Sequence, residues 1–330
     1  MSLAVTYRRP GDPAEVLEVT NIGDPPPPAP GQIQVRVSAF PIHPGDFLYI
    51  SAPRSLDGEQ TAGIEATGVV TDVGDGVTGF SPGGRVSFFP HSGAWREVVN
   101  VDAATAVPVP DSVPDEVAAQ MLCNPITVLM LRRAAQQHFS VGFDGVVLNN
   151  AAASSVGRLF TAVAEHHQIA TISIVRSEQR AHQLRDRFPT VPVVSTSDPA
   201  WVEQVRTAAA GRPVPVALDP VGGAIAGELL SALSSGGTLI TYGELAQEPM
   251  SLHASTMLHS AFAVQGLTIG RWFTGVSAEQ RASDVASAVM ITTHLSQHFD
   301  VAAVYPLERI GDAVRHAAQP GKIGTVVVKP

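Results

Sequence analysis

GVVLNNAAASSVGRLFTAVAEHHQIATISIVRS, from Gly145 to Ser177, decides the fold. A short apolar strand, Val146 to Leu148, meets a turn of small residues that ends at Gly157. A helix from Arg158 to His167 and a β-branched strand from Ala170 to Val175 follow, and the unit closes on Arg176. That order is one βαβ unit.

Small residues between strand and helix let the backbone pass close to a pyrophosphate, whose charge is met by N–H groups at the helix N-terminus. The glycine pattern expected of such a turn is incomplete. Ala151 and Ser154 stand where glycines are expected and only Gly157 remains, so a tight βαβ turn rich in small residues is the plain alternative. Spacing argues for the nucleotide. The residue at the end of the second strand, where the adenosine ribose is read, is Arg176, with Arg180 one helical turn on. An acid there accepts from a ribose 2′-OH, whereas a guanidinium pairs with a 2′-phosphate, which selects NADPH over NADH.

At 330 residues the chain is long for one core, and two domains are expected. An excess of 30 Asp+Glu over 21 Lys+Arg gives a net charge of −9, which disfavours nucleic acid or an anionic membrane as partner. No apolar stretch approaches the roughly 20 residues of a membrane span. The opening MSLAVTYRRPGDP has neither an apolar h-region nor a long basic amphipathic segment, so a cytoplasmic location is expected. Cys123 is the only cysteine, which rules out an intrachain disulfide framework and a multi-cysteine zinc site. Its flank, MLCNPITVL, is apolar and points to a buried, inert thiol.

Upstream of the βαβ unit the chain is β structure broken by Gly and Pro. The polyproline run DPPPPAPG, Asp24 to Gly31, reads as a stiff surface connector, with a ligand for a proline-reading module as the alternative. GQIQVRVSAF has the period of two of a strand, and in IHPGDFLYISAPRS the pair Pro44 and Gly45 turns the chain ahead of a short helical segment. The glycine-spaced GIEATGVVTDVGDGVTGFSPGGRVSFF describes short strands of a compact barrel. Asp111 or Ser112 is the expected N-cap where the chain enters the nucleotide domain. Past the βαβ unit, PVVS, WVEQVRTAAAG, PVALDPVG, GAIAGELLSALSSGG and TLITYGEL continue the alternation of a doubly wound parallel sheet. The amphipathic stretch Ala278 to His298, then AAVYPL, LERIGDAVRHAAQ and TVVVK, complete the chain. The expected domains are 1–115, 116–270 and a segment, 271–330, that returns to the first.

Gly63, Glu65, Gly68, Gly74 and Val77 match the signature GHExxGxxxxxGxxV, and with this domain order the chain resembles the medium-chain dehydrogenase/reductase superfamily. The resemblance implies an α/β protein with a GroES-like β-barrel catalytic domain plus a Rossmann doubly wound parallel-sheet nucleotide-binding domain. In that signature the His is a catalytic zinc ligand, and here its position is Ile64, which cannot bind a metal. No metal is therefore expected, and the chain resembles the zinc-independent branch of quinone oxidoreductases and 2-enoyl thioester reductases. GAW at Gly93 to Trp95, NPIT at Asn124 to Thr127, SIVR at Ser173 to Arg176, DPVGG at Asp219 to Gly223 and TYGEL at Thr241 to Leu245 resemble the enoyl thioester reductases.

The resemblance implies that Asn124 and Thr127 lie against the nicotinamide ribose and ring, and that Ser154, Ser155, Val156 and Gly157 hold the pyrophosphate. It gives Arg176 the 2′-phosphate, and makes Tyr242, Gly243, Glu244 and Leu245, with Trp272, Phe273 and Thr274, the lining of the cofactor cleft. Tyr242 as the cap of a buried strand and Trp272 as a core aromatic are the plain alternatives. One departure matters. The enoyl thioester reductases of this branch place a tyrosine shortly after the turn, whereas Ser51 to Thr61 contains none, and counting from His43 puts Arg54 there. His43 itself replaces the usual Asn of the turn.

The expected reaction is hydride transfer from NADPH to an activated C=C, with Arg54 as a fixed positive charge beside the developing enolate and His43 as the proton source. Tyr49 is a third candidate that reads as packed among apolar neighbours. NADPH:quinone reduction is the alternative, because a hydroquinone anion has less need of an acid. A non-catalytic NADPH-binding sensor or scaffold is the alternative from another class. The expected partner is a small-molecule substrate, and VQGLTIG, Val264 to Gly270, suggests by analogy an edge strand that joins a homodimer.

Overall fold

Eight strands precede the βαβ unit in a computed structural model of the chain, which describes residues 1–139 and 144–330. They are β1 (Leu3–Tyr7), β2 (Glu18–Asn21), β3 (Gln32–Ile42), β4 (Gln60–Thr61), β5 (Ala66–Val73), β6 (Arg85–Phe88), β7 (Val98–Asp102) and β8 (Ala106–Pro108). Next come β9 (Val147–Asn149), β10 (Thr171–Val175), β11 (Val193–Ser195), β12 (Val216–Asp219), β13 (Thr238–Thr241) and β14 (Ala263–Gly266). The last two are β15 (Val301–Pro306) and β16 (Thr325–Lys329). One unit is Met1–Asn124 with Val285–Pro330, and the other is Pro125–Asp284. These divisions fall later than the expected 115 and 270. Pairing of β14 to β13, and the bonds that Asp284 makes to Arg133, Trp272 and Gln280, keep the chain up to Asp284 in the second unit.

The first unit is built on β3. It pairs antiparallel with β5, β7 and β16, in a sheet ordered β15-β16-β3-β5-β6-β8, and a small sheet β2-β1-β4 accompanies it. Ile33, Val35 and Val37 are buried on one face, as a strand with one side to the core requires, and burial becomes continuous from Ala39 to Ile42. Phe40 stacks on the fully buried Trp95 with ring centroids 5.3 Å apart. Gly63, the first glycine of the signature, has φ +88, and a Cβ there would stand 2.0 Å from Trp95 Cδ1. Only glycine fits against that indole. The polyproline run lies along the sheet, where Pro26 O accepts from Gln34 Nε2 and Asn100 Nδ2. The short helix after Pro114 is Asp115–Ala118, with Pro114 rather than Asp111 or Ser112 in the cap position.

All strands of the second unit are parallel, in the order β11-β10-β9-β12-β13-β14. β9 to β12 are buried at every position, which is why they read as continuous apolar runs. From β9 the order steps outward in both directions, so the crossovers diverge and a crevice opens at the C-terminal ends of β9 and β12. The following helix starts at Ser155, ahead of the expected Arg158, because Ser154 Oγ accepts from Gly157 N at 3.1 Å and caps it. VQGLTIG is strand only to Gly266, and Ile269–Gly275 is a helix carrying Trp272, Phe273 and Thr274. Among the described residues no helix is long and apolar enough to cross a membrane.

Gly157 is the glycine on which the βαβ unit closes. A Cβ there would lie 2.5 Å from Ala151 O and 2.7 Å from Ala152 Cα, backbone atoms that cannot move without shifting the turn. Gly157→Ala is expected to cost about 1–3 kcal/mol of stability. Chemical denaturation of the two proteins measures it, and equal midpoints would show that the turn relaxes freely.

Candidate active site

The end of β3 turns inward at His43, which precedes the helix Pro44–Ser51. Pro44 starts that helix, and Asp46 Oδ2 accepts from His43 N at 2.8 Å, the half of a capping box in which an acidic side chain reaches back to the cap backbone. The turn therefore drives both His43 and Asp46 into the interior, where they are 6% and 3% exposed. Glu65, 1% exposed, meets them there. Its Oε2 lies 2.8 Å from His43 Nε2, and its Oε1 accepts from Leu122 N at 2.8 Å and Cys123 N at 3.0 Å. His43, Glu65 and Cys123 bring their ligating atoms within 4.8 Å of one another.

Burial alone would discharge this imidazole. Its bond to Glu65, and the charges of Glu65 and Asp46, outweigh burial and the opposing charge of Lys322, so the His43 pKa is raised above the usual value. Burial pushes Asp46 up to about 6 against the pull of His43. Burial likewise drives the Cys123 thiol well above its usual range, with Glu65 and Asp46 adding to the effect, so this thiol stays protonated near neutral pH.

Arg54 belongs to a different cluster of the same unit. Its Nη1 donates to Tyr49 O and to Ala52 O, and its Nη2 donates to Tyr7 Oη at 2.8 Å. The guanidinium also lies over the Tyr49 ring, 4.1 Å from the centroid. Tyr49 is not packed among apolar residues as its neighbours in sequence suggested. It is 58% exposed, because the helix Pro44–Ser51 buries the face carrying Asp46 and Ile50. Tyr7 was not singled out by sequence, since nothing within β1 links it to a position 47 residues away.

The C-terminal edge of the parallel sheet gathers the nucleotide candidates of the second unit. Asn150, just past β9, donates from Nδ2 to Asp219 Oδ1 at 2.8 Å, and Asp219 also accepts from Val221 N and Gly222 N, which orders the loop after β12. Tyr242 follows β13, and its buried hydroxyl has no hydrogen-bond partner among the described residues; burial, with the charge of Asp219, raises its pKa. Gly243 packs so closely on Pro220 that a Cβ would lie 2.8 Å from Pro220 O, while Glu244 and Leu245 are exposed. Ala151 takes the left-handed φ of +50 that the missing glycine would adopt freely. Ser154 uses its hydroxyl as the cap, and Ser155, Val156 and Gly157 make the first turn, whose N–H groups lack intrahelical acceptors. Arg176 is exposed at the end of β10 and has no hydrogen bond or ion pair among the described residues. Arg180, one turn along the next helix, donates to Gln183.

Asn124 and Thr127 stand three residues apart on the helix Cys123–Gln136, hence on one face of it. Trp272 is 1% exposed and donates its indole N–H to Asp284 Oδ2 at 2.8 Å, as a core aromatic does, whereas Phe273 is half-buried and Thr274 exposed. Sequence missed Asp46 and Asn150 as members of these groups, although IHPGD and the LNN after β9 carried both.

Residues 29–111 match the family described as the alcohol dehydrogenase GroES-like domain, and residues 190–328 match the zinc-binding dehydrogenase family. The chain is 29% identical over 285 residues to the human mitochondrial enoyl-acyl-carrier-protein reductase, spanning 84% of this chain and 75% of that protein. A mycobacterial protein solved in complex with NADPH superposes with a TM-score of 0.84 at 25% identity, covering the whole of both chains. A quinone oxidoreductase from Pseudomonas syringae superposes with a TM-score of 0.81, also at 25% identity over the whole of both chains.

The raised Asp46 carboxyl has a consequence for stability. The folded protein keeps this proton up to about pH 6, whereas the unfolded chain releases it near the usual 3.8, so between those values the folded state binds more protons and stability falls as pH rises. With each tenfold change in proton affinity equal to about 1.4 kcal/mol, wild type should lose about 3 kcal/mol relative to Asp46→Asn as the pH is raised from about 4 to about 7. Urea unfolding of both proteins across that range tests it, and parallel stability curves would show that Asp46 titrates normally.

Proposed function

We propose, since this chain belongs to the medium-chain dehydrogenase/reductase superfamily, that it is an NADPH-dependent reductase acting on an activated C=C, that of a 2-enoyl thioester or an enone. The observation that carries the choice of substrate is His43, a buried histidine held on Glu65 with its pKa raised, which is a group able to give up a proton near neutral pH. Hydride addition to a C=C leaves a carbanion that must be protonated. A histidine whose pKa is raised meets that need where the tyrosine of the enoyl reductases is missing.

The residues present fit NADPH. The sheet edge offers an unpartnered buried hydroxyl at Tyr242, a free guanidinium at Arg176 and a helix first turn whose close approach only Gly157 allows. When bound, NADPH supplies the hydride. Arg176 and Arg180 take the 2′-phosphate, and the first-turn N–H groups of Ser155 and Val156 take the pyrophosphate, with Gly157, its N–H on Ser154 Oγ, allowing the close approach. Asn124 and Thr127 take the nicotinamide ribose and ring. Tyr242 to Leu245 line the cofactor, and of the three residues after Arg271 it is Phe273 and Thr274, not Trp272, that retain surface to offer it. Arg54 serves as the fixed positive charge toward the substrate carbonyl, held on Tyr7 and Tyr49.

Zinc does not fit the residues of the first unit. Ile64 offers no ligand atom, both oxygens of Glu65 already accept hydrogen bonds, and burial keeps the Cys123 thiol protonated. The reductase is accordingly zinc-independent. Quinone reduction is the second reading, favoured by the Pseudomonas syringae neighbour and by the replacement of tyrosine with Arg54. β14 lies at the sheet edge with all four residues exposed, and edge pairing with a second copy gives a homodimer in the cytoplasm. A monomeric mass by sedimentation at micromolar protein would remove the dimer.

NADPH oxidation at pH 7 with an enoyl thioester, an enone and a quinone, repeated with NADH, should show alkene turnover that prefers NADPH. His43→Ala should lower alkene turnover by about 10²-fold or more, and Arg54→Ala should also lower it, each with NADPH affinity retained. Quinone turnover alone would move the protein to the second reading. Silence with all three substrates despite NADPH binding would make it a binding protein.

A further inference from the structure

We propose that Tyr7 is a catalytic residue of the first unit, its O–H donating a hydrogen bond to the oxygen on which negative charge develops, with Arg54 as the fixed cation behind it. The inference deepens the reading above, on which it rests for the identity of that oxygen, the carbonyl of a 2-enoyl thioester or an enone. Tyr7 ends β1, where it is 3% exposed and its ring belongs to the core that also holds Val16 and Ile50. A packed ring fixes the direction of its hydroxyl. Tyr7 Oη accepts from Arg54 Nη2 at 2.8 Å in a bond that is only partly buried, so the hydroxyl stands at the margin of that core. It donates to no group among the described residues, and its hydrogen is left for a ligand. Burial raises its pKa more than Arg54 lowers it, which keeps that hydrogen in place near neutral pH.

Arg54 is anchored without being neutralised. Its Nη1 donates to the backbone oxygens of Tyr49 and Ala52, and its guanidinium lies 4.1 Å from the centroid of the Tyr49 ring. Arg8, Arg85 and Arg309 of the same unit each pair with a carboxylate, whereas Arg54 pairs with none among the described residues. An O–H that accepts from a guanidinium is a stronger donor than a free phenol, because each bond polarises the next. A cation held in place without a counter-ion stabilises the charge that forms on the atom this O–H meets. A carbonyl oxygen turning into an enolate oxygen is such an atom. The proton stays on Tyr7 and the bond strengthens as the charge builds.

Tyr7→Phe removes the hydroxyl and keeps the ring, so the core of the first unit is retained. The probe is 4-nitrophenolate, an anionic oxygen on a flat ring, titrated against the full chain without cofactor at a pH where it is ionised, beside nitrobenzene, which lacks the oxygen. Tyr7→Phe should weaken phenolate binding about 10-fold or more and leave nitrobenzene binding unchanged. Alkene kcat should fall about 10²-fold, with KM within about threefold and NADPH affinity retained. Equal phenolate affinity in the two proteins overturns the inference whatever the rate does, and so does a wild-type chain that does not bind the phenolate. An equal loss for both probes overturns it as well, because packing alone would then explain it. Phenolate binding lost in the variant, in a protein whose wild type reduces no enoyl thioester or enone, keeps Tyr7 as the donor to an anionic oxygen and removes the reading of the substrate. Should Tyr7→Phe fail to fold, wild type carrying 3-fluorotyrosine at its four tyrosines is read by fluorine NMR. The Tyr7 signal, assigned by elimination with Tyr49→Phe, Tyr242→Phe and Tyr305→Phe, should move when the phenolate binds, and an unmoved signal overturns the inference equally.

Discussion

A carboxylate removed from water needs its lone pairs filled, and Glu65 fills them with one imidazole and two backbone amides. Those three bonds join the end of β3, the approach to β5 and the start of the helix Cys123–Gln136. Moving any one of these elements would strand a buried charge, so the positions of His43 and of Asn124 in the first unit are set together. Asp46 completes the arrangement by holding the backbone of His43. Burial and the charges of the cluster together perturb the protonation of His43 and Asp46.

In the second unit the governing constraint is the parallel sheet. Strands buried on both faces must be crossed over by helices, and the divergence of crossovers about β9 opens a crevice at the C-terminal ends of β9 and β12. Asn150 and Asp219 bond to each other at those ends, whereas the hydroxyl of Tyr242 and the guanidinium of Arg176 have no partner among the described residues. Alanine at position 151 keeps the left-handed turn at some steric cost, which explains how the motif survives with a single glycine. Gly157 cannot be exchanged in the same way, since its constraint is contact with backbone rather than torsion.

Three departures from the superfamily pattern belong together chemically. Ile64 stands where the pattern has a metal-ligand histidine, His43 where it has the asparagine of the turn, and counting from His43 puts Arg54 at the position of the tyrosine. The first unit has there a histidine whose pKa is raised and a guanidinium. The guanidinium is anchored by Tyr7, so a phenol does stand in that region of the first unit, brought there by β1.

Sequence by itself determined the elements, the order of the two kinds of domain and the nucleotide motif, because backbone periodicity and turn chemistry are local and appear wherever Gly145 to Ser177 or GQIQVRVSAF is read. It identified Arg176 and Gly157 as residues of interest for the same reason, whereas His43 and Arg54 stood out only through the resemblance to the superfamily. Which of them have partners was decided only in three dimensions. Glu65 meets His43 across 22 residues and Leu122 across 57, Arg54 meets Tyr7 across 47, and Arg133 meets Asp284 across 151. VQGLTIG looked uniform as a strand, yet it is strand only to Gly266 and its last two residues open a helix, and Tyr49 looked packed yet lies exposed. Such outcomes depend on which face of an element is buried and which charge is left without water, and those are properties of the packed chain rather than of any stretch within it.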